Sequence, residues 1–220
     1  VRVIPWWAVL SSVCAPAVLI GGWVLAGLLR GPGYDPAAQT ISSLEADGAP
    51  YRWLIVGGLA ALGVCHLVTA LGLRPAALLG RIALAGGGVC SILVALFPPP
   101  LSGGSLRHGV VVGLGFALLS VWPWLAVGLR SQPGGIRPWA LRPVPALLVS
   151  GSMLAGAAWF LIALRGHGPA GAVERVLTTT QSCWPFIVVV SCAYGAPAGA
   201  VGMRSGGGKE SLDPRRPGRR

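Results

Sequence analysis

Six long apolar runs, separated by segments rich in glycine, proline and arginine, divide the chain almost from end to end. The hydrocarbon layer of a bilayer is about 30 Å thick and a helix rises about 1.5 Å per residue, so roughly 20 apolar residues are needed to cross it. Trp6 to Leu29, Trp53 to Leu73, Gly109 to Leu129, Pro145 to Leu164 and Val176 to Val201 meet that length, and Ile82 to Phe97 reaches it by extending towards Gly80. The pattern predicts an all-α fold, a polytopic membrane helix bundle with six transmembrane helices. An even number of crossings puts both termini in one compartment. The first run is too long for the core of a signal peptide and no clear small-residue cleavage site follows it, so it is read as a retained span.

Composition agrees with this reading. The chain is 54% hydrophobic and only 10% charged, against roughly a quarter charged in soluble domains. The net charge of +11 would point to nucleic acid in a soluble protein, but the basic residues fall between and after the apolar runs instead of on one face, so no nucleic-acid partner is expected. Their placement sets orientation, because cytoplasmic segments carry the excess of Lys and Arg. Arg30, Arg52, Arg107, Arg165 and Arg175 fall on one side, and the other 12 of the 17 basic residues on the side of the termini. Both termini are therefore expected in the cytoplasm, in a bacterial plasma membrane. Residues 1–203 form the transmembrane domain. Residues 204–220, "RSGGGKESLDPRRPGRR", are too polar to fold and are expected to be a disordered basic cytoplasmic tail that anchors topology.

Lipid supplies no hydrophobic drive between helices, so close packing relies on small residues. "VGGLAALG", "LAGGGVCS" and "VSGSMLAGAA" carry them at spacings of three and four and predict close helix crossings; the same faces are candidates for a protein partner. Pro16, Pro123, Pro185 and Pro197 are expected to kink their spans. The five cysteines lie in apolar or near-apolar stretches with no ligand spacing, so no metal site is assigned, and no cofactor motif occurs. His66, well inside the second span, is expected to hydrogen-bond a carbonyl or Thr69, and His167 to be a solvated loop residue.

The outer loop, 30–52, concentrates three of the six acids, Asp35, Glu45 and Asp47. "RGPGYDP" is turn chemistry. "SSLEADG" predicts a short helix with Ser42 and Glu45 as a capping box and Gly48 at its end. "PYRW" opens the second span, with Tyr51 and Trp53 at headgroup depth.

"YDPAAQTISSLEADGAPYRW", then "FP" at Phe97 and Pro98 followed by His108, then "GAVERVLTTTQSCW", together resemble the bacterial domain-of-unknown-function family 998. The resemblance covers nearly the whole chain except the tail. It implies a six-span integral membrane protein and no particular reaction. Family members often carry an acid after the "FP", where this chain has Pro99 and Pro100, so no metal or acid–base role is built on that position.

The topology brings Ser42, Ser43, Glu45 and Asp47, Arg107 and His108, and Glu174 and Arg175 to one boundary. The plain alternative is a solvated surface with weak ion pairs such as Glu174 with Arg107 or Arg52. Two functional classes follow. One is a binding protein that holds a membrane lipid's headgroup, or a partner, through Tyr34, Asp35, Arg52, Arg107, Glu174 and Arg175. The alternative is an intramembrane lipid hydrolase or transferase, with His108 as base, Ser42 or Ser43 as nucleophile, and Glu45 or Asp47 as supporting carboxylate. Transport ranks third, since the expected spans hold no Asp, Glu, Lys or Arg in their interiors.

Overall fold

The structure, a computed structural model, describes residues 4–128, 137–166 and 168–194. Among these residues every regular element is helical: α1 (Trp6–Arg30), α2 (Ser42–Glu45), α3 (Arg52–Gly72), α4 (Leu78–Leu96), α5 (Leu106–Leu125), a 3-10 turn (Trp139–Leu141), α6 (Pro143–Gly166) and α7 (Ala170–Tyr194). All but α2 and the 3-10 turn are long and apolar enough to cross a membrane, which gives the six spans. The spans close into a ring in which each packs on the next and α7 returns against α1. Large apolar side chains cover the outside of the ring: Leu28 is 73% exposed and Ile162 68%. In water that surface would aggregate; in lipid tails it is solvated.

The two spans that begin furthest ahead of their apolar runs, α4 and α7, do so for one reason. Each helix continues through charged residues that have found partners. α4 starts at Leu78 and includes Arg81, whose Nε donates to the Ala70 carbonyl at 2.7 Å and whose Nη2 donates to the Leu71 carbonyl at 3.0 Å. Those carbonyls lie in the last turn of α3, where the helix leaves acceptors unpaired. α7 likewise starts at Ala170, not Val176, and takes Glu174 and Arg175 into the bundle.

Small residues set the closest crossings. A methyl group added to Gly63 would strike the Gly88 carbonyl of α4, and one added to Gly58 would lie 3.1 Å from the Val18 carbonyl of α1. The α6 stripe contributes less: Gly156 faces Leu177 of α7, while a methyl on Gly151 would meet nothing within 4 Å. Pro16, Pro123 and Pro185 sit inside continuous helices. Beside Pro123, the Trp124 amide donates to the Ser150 hydroxyl at 3.1 Å, which ties α5 to α6. The basic tail, Pro197, the stretch 195–201 of the expected sixth span, and His167 lie outside the described residues.

A membrane-embedded polar chamber

The connection from α1 to α3, residues 31–51, folds back over one end of the ring. Gly31 (φ 80°) and Gly48 (φ 83°) take left-handed conformations that favour glycine, and Tyr51 (φ 57°) adopts the same region as the chain turns into α3. The Asp35 carboxylate accepts from the Ala37 amide at 2.9 Å, the local turn that the Asp-Pro pair predicts. The expected capping box does not form. The N-cap of α2 is Ile41, with no side-chain cap, and the helix is a single turn of 4 residues. Ser42 and Glu45, three positions apart, instead lie on one face and enter the bundle.

Arg175 holds this lid in place. Its Nη1 donates to the carbonyls of Pro36 (2.7 Å), Gln39 (2.9 Å) and Gly171 (2.9 Å), and its Nη2 to the Tyr34 hydroxyl. The guanidinium also lies 5.3 Å from the Trp23 ring centre and 5.8 Å from that of Tyr34. Burial raises the Tyr34 hydroxyl above its usual range, partly opposed by Arg175, so Tyr34 accepts this bond as a neutral phenol. Further ties run from the Ala172 amide to the Ala37 carbonyl (3.0 Å) and from the Asp47 amide to the Pro99 carbonyl (2.9 Å). The stretch after "FP" thus serves the lid through its backbone.

Under the lid, the buried Glu45, His108 and Glu174 meet the half-buried Ser42, from three elements. Glu174 Oε2 accepts from the Ile41 amide at 2.5 Å. His108, third residue of α5, has its backbone amide on the Ser105 hydroxyl (3.3 Å) and its Nδ1 3.1 Å from the Phe97 carbonyl. A carbonyl only accepts, which assigns the proton of a neutral ring to Nδ1 and leaves Nε2 as an acceptor. Nε2 lies 3.1 Å from Ser42 Oγ and 3.5 Å from Glu45 Oε1. Ser42 therefore donates to His108. Burial, reinforced by the negative charge of Glu174 and opposed by the Ser42 hydroxyl and Arg52, pushes Glu45 up to about 8. At neutral pH Glu45 is mostly a neutral acid, so its approach to His108 is not an ion pair.

Ser42, Glu45 and Glu174 form the rim of a cavity of about 80 Å³, measured as the space open to the centre of a water molecule. At about 30 Å³ per water, that is room for about three waters or a slim chain. Its walls are apolar, among them Leu59, Leu62, Val94, Val112 and Phe116, and its floor is polar, with His66, Gln181 and Ser182. Glu45 Oε2, both ring nitrogens of His66 and Gln181 Oε1 are buried without a hydrogen-bond partner. An unmet buried polar group costs about 1–3 kcal/mol. His66 makes neither expected bond; Thr69 pairs with the Ser11 hydroxyl at 2.8 Å instead.

The other expected site residues lie elsewhere. The Ser43 hydroxyl donates to the Thr40 carbonyl at 2.7 Å. Asp47 pairs with Arg52 at 3.0 Å at the surface, and Arg52 Nε also donates to the Glu45 carbonyl at 3.3 Å. Asp35 and Arg107 are exposed. Glu174 is only 4% exposed, which replaces the surface ion pairs considered for it. Among the described residues no group of three His, Cys, Asp or Glu side chains is arranged to hold a metal ion. The sequence reading missed Gln181 and Ser182. Their signal is present: Glu174, Thr178, Gln181 and Ser182 recur at helical spacing along one face of the last span.

A closed ring of six apolar helices, enclosing a lidded polar chamber, defines a multi-pass membrane protein. The family model for a protein of unknown function (DUF998) matches residues 13–191, and the chain belongs to that family. No curated protein and no solved structure matches the chain.

Proposed function

We propose that this protein is an integral plasma-membrane protein that takes the hydrogen-bonding headgroup of a membrane lipid into the chamber beneath residues 31–51. The observation that carries the reading is the meeting of Ser42, Glu45, His108 and Glu174 beside a cavity, with Glu45 Oε2 buried and unpartnered. Arg175 and Arg52 are committed to carbonyls, Tyr34 and Asp47, while two carboxyl groups line the rim. With both guanidinium groups committed, the rim favours a headgroup rich in hydroxyl groups over a bare phosphate. The test is purification in mild detergent followed by mass spectrometry of co-purified lipid. One lipid class should be enriched over the bulk membrane, and Glu45→Ala or Ser42→Ala should abolish the enrichment. Bulk composition in all three samples refutes the reading.

A second reading has its own observation, the 3.1 Å contact of Ser42 Oγ with a His108 Nε2 that is free to accept. In acyl transfer, Ser42 attacks an ester carbonyl as its proton passes to His108, and His108 returns that proton to the leaving alcohol. A fluorophosphonate probe should then label Ser42 in the wild type and leave His108→Ala unlabelled. An unlabelled wild type removes this reading and leaves binding alone.

A further inference from the structure

The polar floor of the chamber lies too deep for a headgroup held at the rim. Phe116 is eight residues beyond His108 in α5, so about 12 Å further into the ring at 1.5 Å per residue. Gln181 of α7 is fixed at that level, its Nε2 donating to the Phe116 carbonyl and to the Ser120 hydroxyl, both at 3.1 Å. His66 of α3 packs on Gly88 of α4, and the adjacent Gly87 packs on Leu119 of α5, which puts His66 in the same layer.

We propose that His66 and Gln181 form a second anchoring point for the same ligand, one that takes a hydroxyl carried on an apolar chain about 12 Å from the headgroup. His66 is 0% exposed and Gln181 1%, both line the cavity, and both present unpartnered atoms. A neutral imidazole always has one donor and one acceptor, and Gln181 Oε1 adds a second acceptor. A hydroxyl matches this set: its oxygen accepts from the imidazole N–H, and its hydrogen is given to Gln181 Oε1. The hydroxyl hydrogens of two neighbours are already committed, that of Ser91 to the Leu59 carbonyl at 2.8 Å and that of Ser182 to the Thr179 carbonyl at 3.0 Å. The apolar walls between rim and floor suit a hydrocarbon chain, whereas a file of waters would lack the two to four polar partners each one needs.

The inference rests on the headgroup reading, and the experiment separates the two. The full chain in phosphatidylcholine nanodiscs is titrated calorimetrically with 1,8-octanediol and with 1-octanol, empty nanodiscs being subtracted. The diol should bind at least about tenfold more tightly, a difference typical of one satisfied buried hydrogen bond. His66→Leu and Gln181→Leu should each bring the diol down to the affinity of octanol and leave octanol unchanged. Equal affinities in the wild type, or a diol preference that survives both substitutions, overturn the floor site while the rim stands. Loss of both ligands in both variants assigns His66 and Gln181 to structure and also overturns it. Absence of saturable binding by either alcohol overturns the floor site, and the headgroup reading is decided separately by the co-purified lipid.

Discussion

Glu45 is the side chain through which pH should act on this protein. Its folded value of about 8 lies above the ordinary 4.5, so the protonated form favours the fold. The stability it contributes is complete below about pH 4.5 and is lost as the pH rises through about 8. Between those limits the loss is up to about 1.4 kcal/mol per pH unit. Glu174 on α7, His108 on α5 and Arg52 on α3 surround it and modulate the slope. The unfolding midpoint in detergent is expected to fall from pH 5 to pH 8, and Glu45→Gln to flatten that fall and exceed the wild type at pH 8. A midpoint that climbs over the same interval contradicts this assignment. Arg175 provides a second test. Lysine keeps the charge but cannot reach three carbonyls and Tyr34 with one ammonium group. Arg175→Lys is expected to cost about 2–4 kcal/mol and to raise amide exchange in residues 35–41. Both residues show where sequence reasoning stops. The spacing of Ser42 and Glu45, with the topology that carries His108 to the same boundary, makes their meeting legible. Glu174 and Arg175 read as surface charges because their partners are mostly backbone groups of the lid, and backbone position is not written in side-chain identity.

At the scale of the elements, glycine decides which pieces touch. A methyl group on Gly171 would strike the Gln39 and Pro36 carbonyls, the groups that Arg175 binds. Backbone cannot yield as a flexible side chain does, so Gly171→Ala is expected to cost about 1–3 kcal/mol and to open the lid to limited proteolysis. Gly63→Ala, aimed at the α3–α4 crossing, should lower the unfolding midpoint comparably, whereas Gly151→Ala, with nothing within 4 Å, should leave it unchanged or slightly raised. Equal effects at Gly63 and Gly151 would mean that the crossings tolerate separation. Apolar run length places all six spans in the sequence, and small-residue spacing marks α3 and α4 as close neighbours. Helix starts are less legible, because Arg81 and Arg175 resemble loop residues until their carbonyl partners are seen. The Ser42–Glu45 pair misleads in the same way: a capping box and an inward-facing pair share one spacing, and the interior claims it.

For the whole molecule the open quantity is which way the ring points. The lidded end carries Arg30, Arg52, Arg107, Arg165 and Arg175, but Arg175 is buried among carbonyls and Arg52 is paired with Asp47. At the opposite end Arg81 is spent on the end of α3. Arg137 likewise donates to the Gly128 carbonyl at 2.6 Å. The bias therefore rests mainly on Arg74 and Arg142 together with Arg2, Arg130 and the six cations from Arg204 to Arg220. A green fluorescent reporter fused after Arg220 should fluoresce, and an alkaline phosphatase fusion at the same point should be inactive, since the positive end stays in the cytoplasm. Removing residues 204–220 should weaken the preference and give a mixture of both signals. An active phosphatase on the full chain would turn the chamber towards the cytoplasm. The headgroup would then have to come from the inner leaflet, where anionic lipids concentrate. A rim lined by two carboxyl groups is poorly suited to them, so the orientation and the chemistry of the rim stand or fall by related measurements.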